Sequence, residues 1–213
     1  MIIAVEGIDG AGKNTLVEAV TAALGAQSLA FPRYEVSLHA QLARDALAGR
    51  MGDLVGSAHG MATLFALDRH GAKPLLDAFV GAPDKLIVLD RYVASNAAYT
   101  AARTGSDSAF GWVEELEFGR LGLPRPDLHV LVDTSPAEAK ERVRKRAAHD
   151  ASREPDRYER DAALQVATFA AYERLSASGW AGRWLRSAQP DAIIQAVEDL
   201  RLRSRNDPQN PRR

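Results

Sequence analysis

The segment that most constrains how this chain can fold joins its first apolar run to a glycine-rich loop that ends in lysine. Residues 2–5 are apolar and mostly β-branched, which predicts a buried strand. Residues 7–13 read Gly-Ile-Asp-Gly-Ala-Gly-Lys, and residues 13–24 carry apolar side chains at helical spacing. This strand–loop–helix order is that of a phosphate-binding loop, whose backbone N–H groups and lysine hold phosphate oxygens. A purely structural turn would give Lys13 no reason to stand at the end of the loop.

Two residues of this loop depart from the usual pattern. The residue after the lysine is normally Ser or Thr, whose hydroxyl binds Mg²⁺, but here it is Asn14, with Thr15 one step later. The amide oxygen could serve the metal, or the metal could be held elsewhere. Asp9 places a carboxylate inside an anion-binding loop, so we expect Mg²⁺ or a substrate hydroxyl to offset it; the alternative is a helix N-cap without chemistry. The residues predicted to bind nucleotide phosphates are Gly7, Gly10, Ala11, Gly12, Lys13, Asn14 and Thr15.

Apolar runs alternate with helical patterns along the rest of the chain. Further strands are predicted at 28–31, 86–89, 129–132 and 184–185. Helices are predicted at 36–48, 57–80, 93–103, 109–121, 135–147, 158–178 and 190–202. The alternation predicts an α/β chain with a three-layer P-loop fold: a parallel sheet of about five strands, helices on both faces and a mobile lid. We expect one domain over residues 1–213, with the lid at about 142–157 and a frayed tail at about 203–213.

The composition argues against several classes of protein. The chain has no cysteine, which rules out disulfides and thiolate metal sites. Its formal net charge of -1 is not the strongly basic balance that bulk nucleic-acid binding requires. The first apolar run is too short for a signal peptide, and no run approaches the roughly 18 apolar residues of a membrane helix. We therefore expect a cytoplasmic protein that binds neither membranes nor nucleic acid.

A second anion site is predicted where the strand at 86–89 runs into Asp90, Arg91 and Tyr92. Ligands of parallel sheets bind at the carboxyl ends of the strands, so these side chains should face the phosphate loop. Asp90 can act on Mg²⁺ through water, and Arg91 can hold a second phosphate. Two phosphate-binding groups indicate a phosphoryl donor and a phosphorylated acceptor.

Two helical pairs are candidates for reading a flat heterocycle. Phe65 and Arg69 are four residues apart, so they share a helix face and offer an aromatic surface beside a planar donor. Asn96 and Tyr99 are three apart, and Asn96 can both donate and accept along a pyrimidine edge. Taken singly, Phe65 and Tyr99 would more often be core residues.

With these residues in place, the chain resembles the bacterial thymidylate kinases. The motifs that carry the resemblance are residues 6–13, Phe31-Pro32-Arg33-Tyr34, residues 64–69, residues 90–99 and Tyr158-Glu159-Arg160-Asp161. They span about residues 1–161. The resemblance implies a kinase that moves the γ-phosphate of ATP to dTMP, giving dTDP and ADP for dTTP synthesis. It also implies Mg²⁺ as a cofactor and a homodimer.

The same resemblance implies a role for individual residues. The implied roles are thymine stacking for Phe65, bonds to the base edge for Arg69 and Asn96, phosphate binding for Arg91, and flanking of the deoxyribose for Asp9 and Tyr99. The full set expected to bind dTMP is Asp9, Phe31, Tyr34, Phe65, Arg69, Arg91, Asn96, Tyr99 and Tyr158. The expected metal ligands are Asp9, Asp90 and Glu159.

The basic segment at 140–153 is either a solvated helix face or a source of catalytic arginines. Phosphoryl transfer develops charge that an arginine meets in the closed enzyme. Some members of the resembled family carry that arginine inside the phosphate loop, where this chain has Gly10-Ala11. The lid is the remaining nearby source, and Arg142, Arg146 and Arg153 match its pattern best. The residues expected to act in catalysis are therefore Asp9, Lys13, Arg91, Arg142, Arg146 and Arg153.

Two other functions remain open from the sequence. One is a kinase for another nucleotide or for a deoxynucleoside, although Arg91 and the Phe65, Arg69 and Asn96 set favour a pyrimidine monophosphate. The other is a nucleotide-dependent switch that binds a partner and barely turns over. Acceptor-dependent ADP release distinguishes both from the expected activity.

Overall fold

A computed structural model of the chain describes residues 1–82, 84–149, 158 and 161–206, with backbone alone at 146–149 and 204–206. Its strands are β1 (Ile2–Glu6), β2 (Gln27–Ala30), β3 (Ile87–Asp90), β4 (Leu128–Leu131) and β5 (Trp184–Arg186). All pair in parallel in the order β2-β3-β1-β4-β5. The β1, β3 and β4 strands are apolar on both faces and almost wholly buried, as expected for a sheet covered on two sides.

Helices cover both faces of this sheet. They are α1 (Lys13–Leu24), α2 (Leu38–Leu47), α3 (Ala58–Gly71), α4 (Lys73–Asp77), α5 (Val93–Thr104), α6 (Ser108–Glu114), α7 (Pro136–His149), α8 (Ala162–Ser178) and α9 (Pro190–Asn206). A 3₁₀ helix spans Leu54–Gly56, and a π-helical turn spans Glu115–Arg120. The α1 helix packs with α9, whereas α5 packs with α3, α6 and α8. This three-layer α/β arrangement confirms the predicted fold class.

Each predicted strand is confirmed to within one residue at its ends, but four helix predictions need correction. The helix predicted at 158–178 begins at Ala162, because Asp161 has extended backbone and caps it. The helix predicted at 57–80 is two helices, because Pro74 cannot extend the preceding one and instead lies in the first turn of α4. The helix predicted at 109–121 changes to π-helical geometry at Glu115. The α9 helix continues to Asn206, four residues beyond the predicted end at 202, and no proline or glycine interrupts the segment there. The frayed tail at about 203–213 stays a prediction.

The predicted lid is only partly covered by the structure. Residues 142–149 belong to α7, which begins with a capping box: Ser135 Oγ accepts from the Glu138 N–H, and the Glu138 carboxylate accepts from Ser135 N–H at 3.0 Å. Residues 150–157 lie outside the described residues. No helix in the described part of the chain is both long and apolar enough to cross a membrane.

The sheet places two chain segments side by side at its carboxyl edge. Val5 of β1 pairs with Asp90 of β3, so the loop after β1 and the turn after β3 leave the sheet together. A second apolar cluster, Ala43, Ala46, Leu47, Val55 and Met61, packs with Phe65 and Tyr158 beside this edge. The two segments and this cluster enclose the candidate site.

Candidate active site

A cleft of about 270 Å³ opens at the carboxyl edge of the sheet. Its lining residues are Asp9, Phe31, Pro32, Tyr34, Leu47, Phe65, Arg69, Arg91, Ser95, Asn96, Tyr99 and Tyr158. All nine residues expected to bind dTMP are among them. Pro32, Leu47 and Ser95 line the cleft as well and were not predicted. A polar end around Asp9 and Arg91 thus faces an end with aromatic and apolar walls.

The glycine-rich loop at 7–13 has the backbone of an anion site. Gly12 takes a left-handed conformation as the N-cap of α1, and no side chain caps the helix, so its first N–H groups remain available to an anion. Lys13 is 7% exposed, and its Nζ donates to the carbonyl of Ile8 at 2.9 Å. Burial, together with the charge of Arg91, lowers the pKa of Lys13 to about 8. Asn14 and Thr15 are exposed at the start of α1.

The phosphate loop is packed against α7, the helix that leads into the predicted lid. A side chain at Gly10 would bring its Cβ within 2.5 Å of the Ala139 carbonyl oxygen and 2.6 Å of Val143 Cγ2. Arg142 Nη1 donates to the carbonyl of Ala11 at 2.8 Å. The loop therefore has no room for an arginine at position 10, and Arg142 lies beside it instead.

The carboxylate of Asp9 is offset by protein groups. Its Oδ1 pairs with Arg91 Nη2, and its Oδ2 accepts from Tyr99 at 2.7 Å and from Gln165 at 3.1 Å. Burial opposes ionisation of Asp9, but the charges of Arg91 and Lys13 outweigh burial and lower its pKa well below the ordinary value. Gln165 also accepts from the Asp9 N–H at 3.2 Å. The sequence indicated neither the Arg91 partner nor Gln165, which carries no motif.

A buried acid supports the turn that carries Arg91. Glu6, the last residue of β1, is fully buried and accepts from the Tyr92 N–H at 2.9 Å and from the Ser95 hydroxyl at 2.5 Å. Burial raises the pKa of Glu6. Arg91 itself has a φ of 65°, a left-handed conformation that is uncommon for a residue with a side chain. Its Nη1 donates to the carbonyl of Gly7 at 2.9 Å, which ties this turn to the phosphate loop.

At the other end of the cleft, Arg69 and Asn96 share a buried acid that sequence reasoning missed. Glu117, from the π-helical turn, accepts from Arg69 Nε at 2.5 Å and from Arg69 Nη2 at 2.8 Å. The same carboxylate accepts from Asn96 Nδ2 at 2.7 Å. Burial opposes the charge of Arg69, but Glu117 outweighs it and raises the pKa of Arg69. Phe65 lies one helical turn before Arg69 and lines the same cleft.

Asp90 is the main residue available to hold a divalent metal ion. Its Oδ1 is buried and has no hydrogen-bond partner among the described residues, although it ends β3 beside the phosphate loop. A carboxylate oxygen of this kind suits Mg²⁺, directly or through water. Asn14 instead donates its amide to Glu18 at 3.0 Å, and no cluster of three acidic or histidine ligands occurs among the residues described. Glu159 lies outside them.

Of the three arginines predicted in the lid, the structure describes the side chain of Arg142 alone. Arg153 lies outside the described residues, and only the backbone of Arg146 is described. Tyr158, at the end of the predicted lid, stacks on Tyr99 with ring centroids 5.9 Å apart and planes 17° apart. The chain after the lid thus returns to the polar end of the cleft.

The chain is similar to known proteins in sequence. The sequence family described as thymidylate kinase matches residues 5–177. A thymidylate kinase from Mycobacterium tuberculosis strain H37Rv is 52% identical over 193 residues, which cover 87% of this chain and 90% of the relative. A probable thymidylate kinase from Archaeoglobus fulgidus is 35% identical over 154 residues, covering 68% of this chain and 70% of the relative.

A solved structure agrees with the fold. The thymidylate kinase of Candida albicans superposes with a TM-score of 0.70, covering 96% of this chain and 92% of its own. The two sequences are only 19% identical, so this likeness supports the architecture rather than any residue of the site.

Proposed function

This chain belongs to the thymidylate kinase family, and from that membership we propose that its cleft binds dTMP while its glycine-rich loop binds the phosphates of ATP. The reaction transfers the γ-phosphate of ATP to dTMP and yields dTDP and ADP. One observation carries the assignment of the acceptor site: nine residues spread from Asp9 to Tyr158 line a single cleft beside the phosphate loop.

The acceptor is proposed to lie with its base at the Phe65 end and its phosphate at the Arg91 end of the cleft. Phe65 offers an aromatic face to the base, and Arg69 and Asn96 offer polar groups to its edge. Asp9 and Tyr99 are hydrogen-bonded to each other beside Arg91, and the sugar would lie against them. Phe31, Tyr34 and Tyr158 complete the walls.

Chemistry in this arrangement rests on charge and position. The dTMP phosphate is a dianion near neutral pH, so it attacks without a general base. Lys13 and Arg91 supply positive charge on the two sides of the transfer, and Arg142 stands at the loop. Holding donor and acceptor in line and neutralising the developing charge are the main contributions to the rate.

Mg²⁺ is proposed as the cofactor, and it would neutralise charge on the donor phosphates. Asp90 would hold it, since its Oδ1 is buried without a protein partner. Asp9 is less available because Arg91, Tyr99 and Gln165 already contact its carboxylate. Glu159 remains a proposed ligand from the segment after the lid.

The lid is proposed to deliver Arg146 and Arg153 to the transferred phosphate. The exclusion of any side chain at Gly10 supports this proposal, because the loop cannot carry an arginine at that position. A cytoplasmic location, a single domain over residues 1–213 and a homodimer complete the proposal. Sedimentation velocity at micromolar concentration tests the last of these.

A coupled ADP-release assay over a panel of nucleoside monophosphates and deoxynucleosides tests the proposed function. We expect ADP release that depends on dTMP and saturates with it. Preference for another acceptor would reassign the substrate. Tight ATP binding with no acceptor-dependent release would instead indicate a nucleotide switch.

A further inference from the structure

The Glu117 carboxylate is buried at the base end of the cleft, and the proposed transfer does not use it. The side chain is 0% exposed, comes from the π-helical turn at Glu115–Arg120 and lies behind Arg69 and Asn96, which line the cleft. It joins two residues from different helices, Arg69 of α3 and Asn96 of α5. A buried carboxylate that contacts two base-reading residues can determine which atoms those residues present.

Glu117 and a backbone carbonyl together determine the orientation of the Asn96 amide. Asn96 Nδ2 donates to Glu117 Oε1 at 2.7 Å and to the carbonyl of Ala62 at 3.0 Å. Both partners are acceptors only, so the group that faces them must be the NH₂. Turning the amide over would place its oxygen against a carboxylate and a carbonyl. The oxygen, Oδ1, is therefore the polar atom left for a bound base, and no described residue donates to it.

Glu117 orients Arg69 by the same logic. The carboxylate accepts from Nε and Nη2, a two-point contact that holds the guanidinium plane. No described residue accepts from Nη1, which leaves this donor for the cleft. The ion pair also removes the net charge of Arg69, so that a neutral base does not face an unpaired buried cation.

We propose that Glu117 is a positioning residue that makes the base end of the cleft present one donor, from Arg69, beside one acceptor, Oδ1 of Asn96. This inference rests on the proposed function and deepens it. The pattern is complementary to a pyrimidine with a carbonyl at C4 and a proton on N3. A 4-aminopyrimidine presents the opposite pattern, an amino group at C4 and a bare N3, so it meets donor with donor and acceptor with acceptor.

The test compares dTMP with 5-methyl-dCMP, which shares the methyl group and the sugar and differs only at this edge. In the wild-type enzyme we expect kcat/KM to favour dTMP by about a hundredfold or more. Glu117→Gln replaces one acceptor oxygen with a donor, so it weakens the hold on Arg69 and allows the Asn96 amide to turn. We expect this variant to reduce the preference by about tenfold or more.

Glu115→Gln is the matched control, because it makes the same change two residues earlier on the exposed side of the turn, where Glu115 pairs with Arg120 at 3.4 Å. It should keep the wild-type ratio. A general loss of structure would lower both kcat/KM values and leave their ratio unchanged, so a change in the ratio reports on recognition of the base edge alone. An unchanged ratio in Glu117→Gln therefore overturns the inference. If Glu117→Gln does not fold, the test is the ratio of the wild-type kcat/KM values for dTMP and 5-methyl-dCMP. A preference for dTMP below about tenfold overturns the inference, and one of about a hundredfold supports it. A wild-type enzyme inactive on dTMP would refute the proposed function instead.

Discussion

At the scale of single residues, the polar end of the cleft holds the carboxylate of Asp9 against a counter-charge, Arg91. Asp9 would repel phosphate if it stood alone, but Arg91 contacts it, and Tyr99 and Gln165 donate to it. Burial, reinforced by the charge of Asp9, raises the pKa of Tyr99 well above its usual value, so its hydroxyl remains a donor at all ordinary pH values. The polar end is therefore preorganised before any ligand arrives.

Tyr99 should exclude ribonucleotides from the acceptor site. Its ring stacks on Tyr158, and its hydroxyl is already bonded to Asp9, so a 2′-hydroxyl would meet a filled surface. We expect the kcat/KM ratio of dTMP to its 2′-hydroxy analogue to be roughly ten to a hundred, equivalent to a buried hydroxyl without a partner. Tyr99→Phe should keep most of this ratio because the ring remains, whereas Tyr99→Ala should reduce it towards unity. An unchanged ratio in Tyr99→Ala would mean that another side chain reads the sugar.

At the scale of elements, contact between the phosphate loop and α7 joins the donor site to the lid. Ala139 and Val143 lie against Gly10, and Arg142 donates to the carbonyl of Ala11. Thr134, just before α7, donates to the same carbonyl at 2.9 Å. The first half of α7 therefore forms a wall of the phosphate loop.

Gly10→Ala should destabilise the fold by more than the strain of its left-handed backbone alone, because the new side chain also meets α7. Gly10 has a φ of 79° and meets α7, whereas Gly49 has a φ of 77° with nothing within 4 Å of its Cβ position. Gly49→Ala is thus a matched control that carries the strain without the clash. We expect Gly10→Ala to lower the free energy of unfolding by about 1–3 kcal/mol more than the control and to raise KM for ATP. If urea unfolding shows equal losses of unfolding free energy in Gly10→Ala and Gly49→Ala, α7 moves away from the new side chain without cost.

Arg142→Met should lower kcat by about a hundredfold or more, with a smaller change in KM, by analogy with other arginines that meet the transferred phosphate. The control is Arg144→Met, two residues along α7, where Arg144 pairs with Glu141 on the exposed face. Steady-state kinetics with dTMP would measure both. If the two variants keep wild-type kcat, the basic face of α7 is only a solvated surface.

At the scale of the whole molecule, the sequence predicted the strands and helices better than the hydrogen bonds and ion pairs within the site. The β-branched runs that become β1, β3 and β4 are recognisable because a sheet covered on both faces needs them, and parallel strands bring their following residues to one edge. Glu117, Gln165 and Glu6 could not be found this way. Glu117 and Gln165 are isolated within ordinary segments, and Glu6 adjoins the phosphate loop without any sign of its role. The role of each depends on partners far along the chain, which only tertiary packing supplies.

A buried histidine should make the stability of the whole fold depend on pH. His129 of β4 is fully buried and stacks on Trp184 with ring centroids 4.5 Å apart; burial lowers its pKa to about 4. The unfolded chain binds the proton near pH 6.5, so stability is present above that pH and is lost as pH falls towards 4. This residue should contribute about 2 kcal/mol to the loss between pH 7 and pH 5.

Urea unfolding at the two pH values would measure that contribution. His129→Phe keeps a ring against Trp184 and should remove this part of the loss, whereas the exposed His70, replaced by Gln, serves as the control. The same pH dependence in wild type and His129→Phe would show that His129 binds its proton in the folded chain as well.

The fate of the γ-phosphate of ATP tests the central claim most directly. ATP labelled at that phosphate is incubated with dTMP and the wild-type enzyme, and the nucleotides are separated. We predict label in the β-phosphate of dTDP, with one ADP formed for each dTDP. Lys13→Ala, folded as judged by circular dichroism, should form essentially no labelled dTDP because its loop lacks the charge that holds the donor phosphates. Label released as inorganic phosphate without dTDP, or normal dTDP formation by folded Lys13→Ala, would contradict the account.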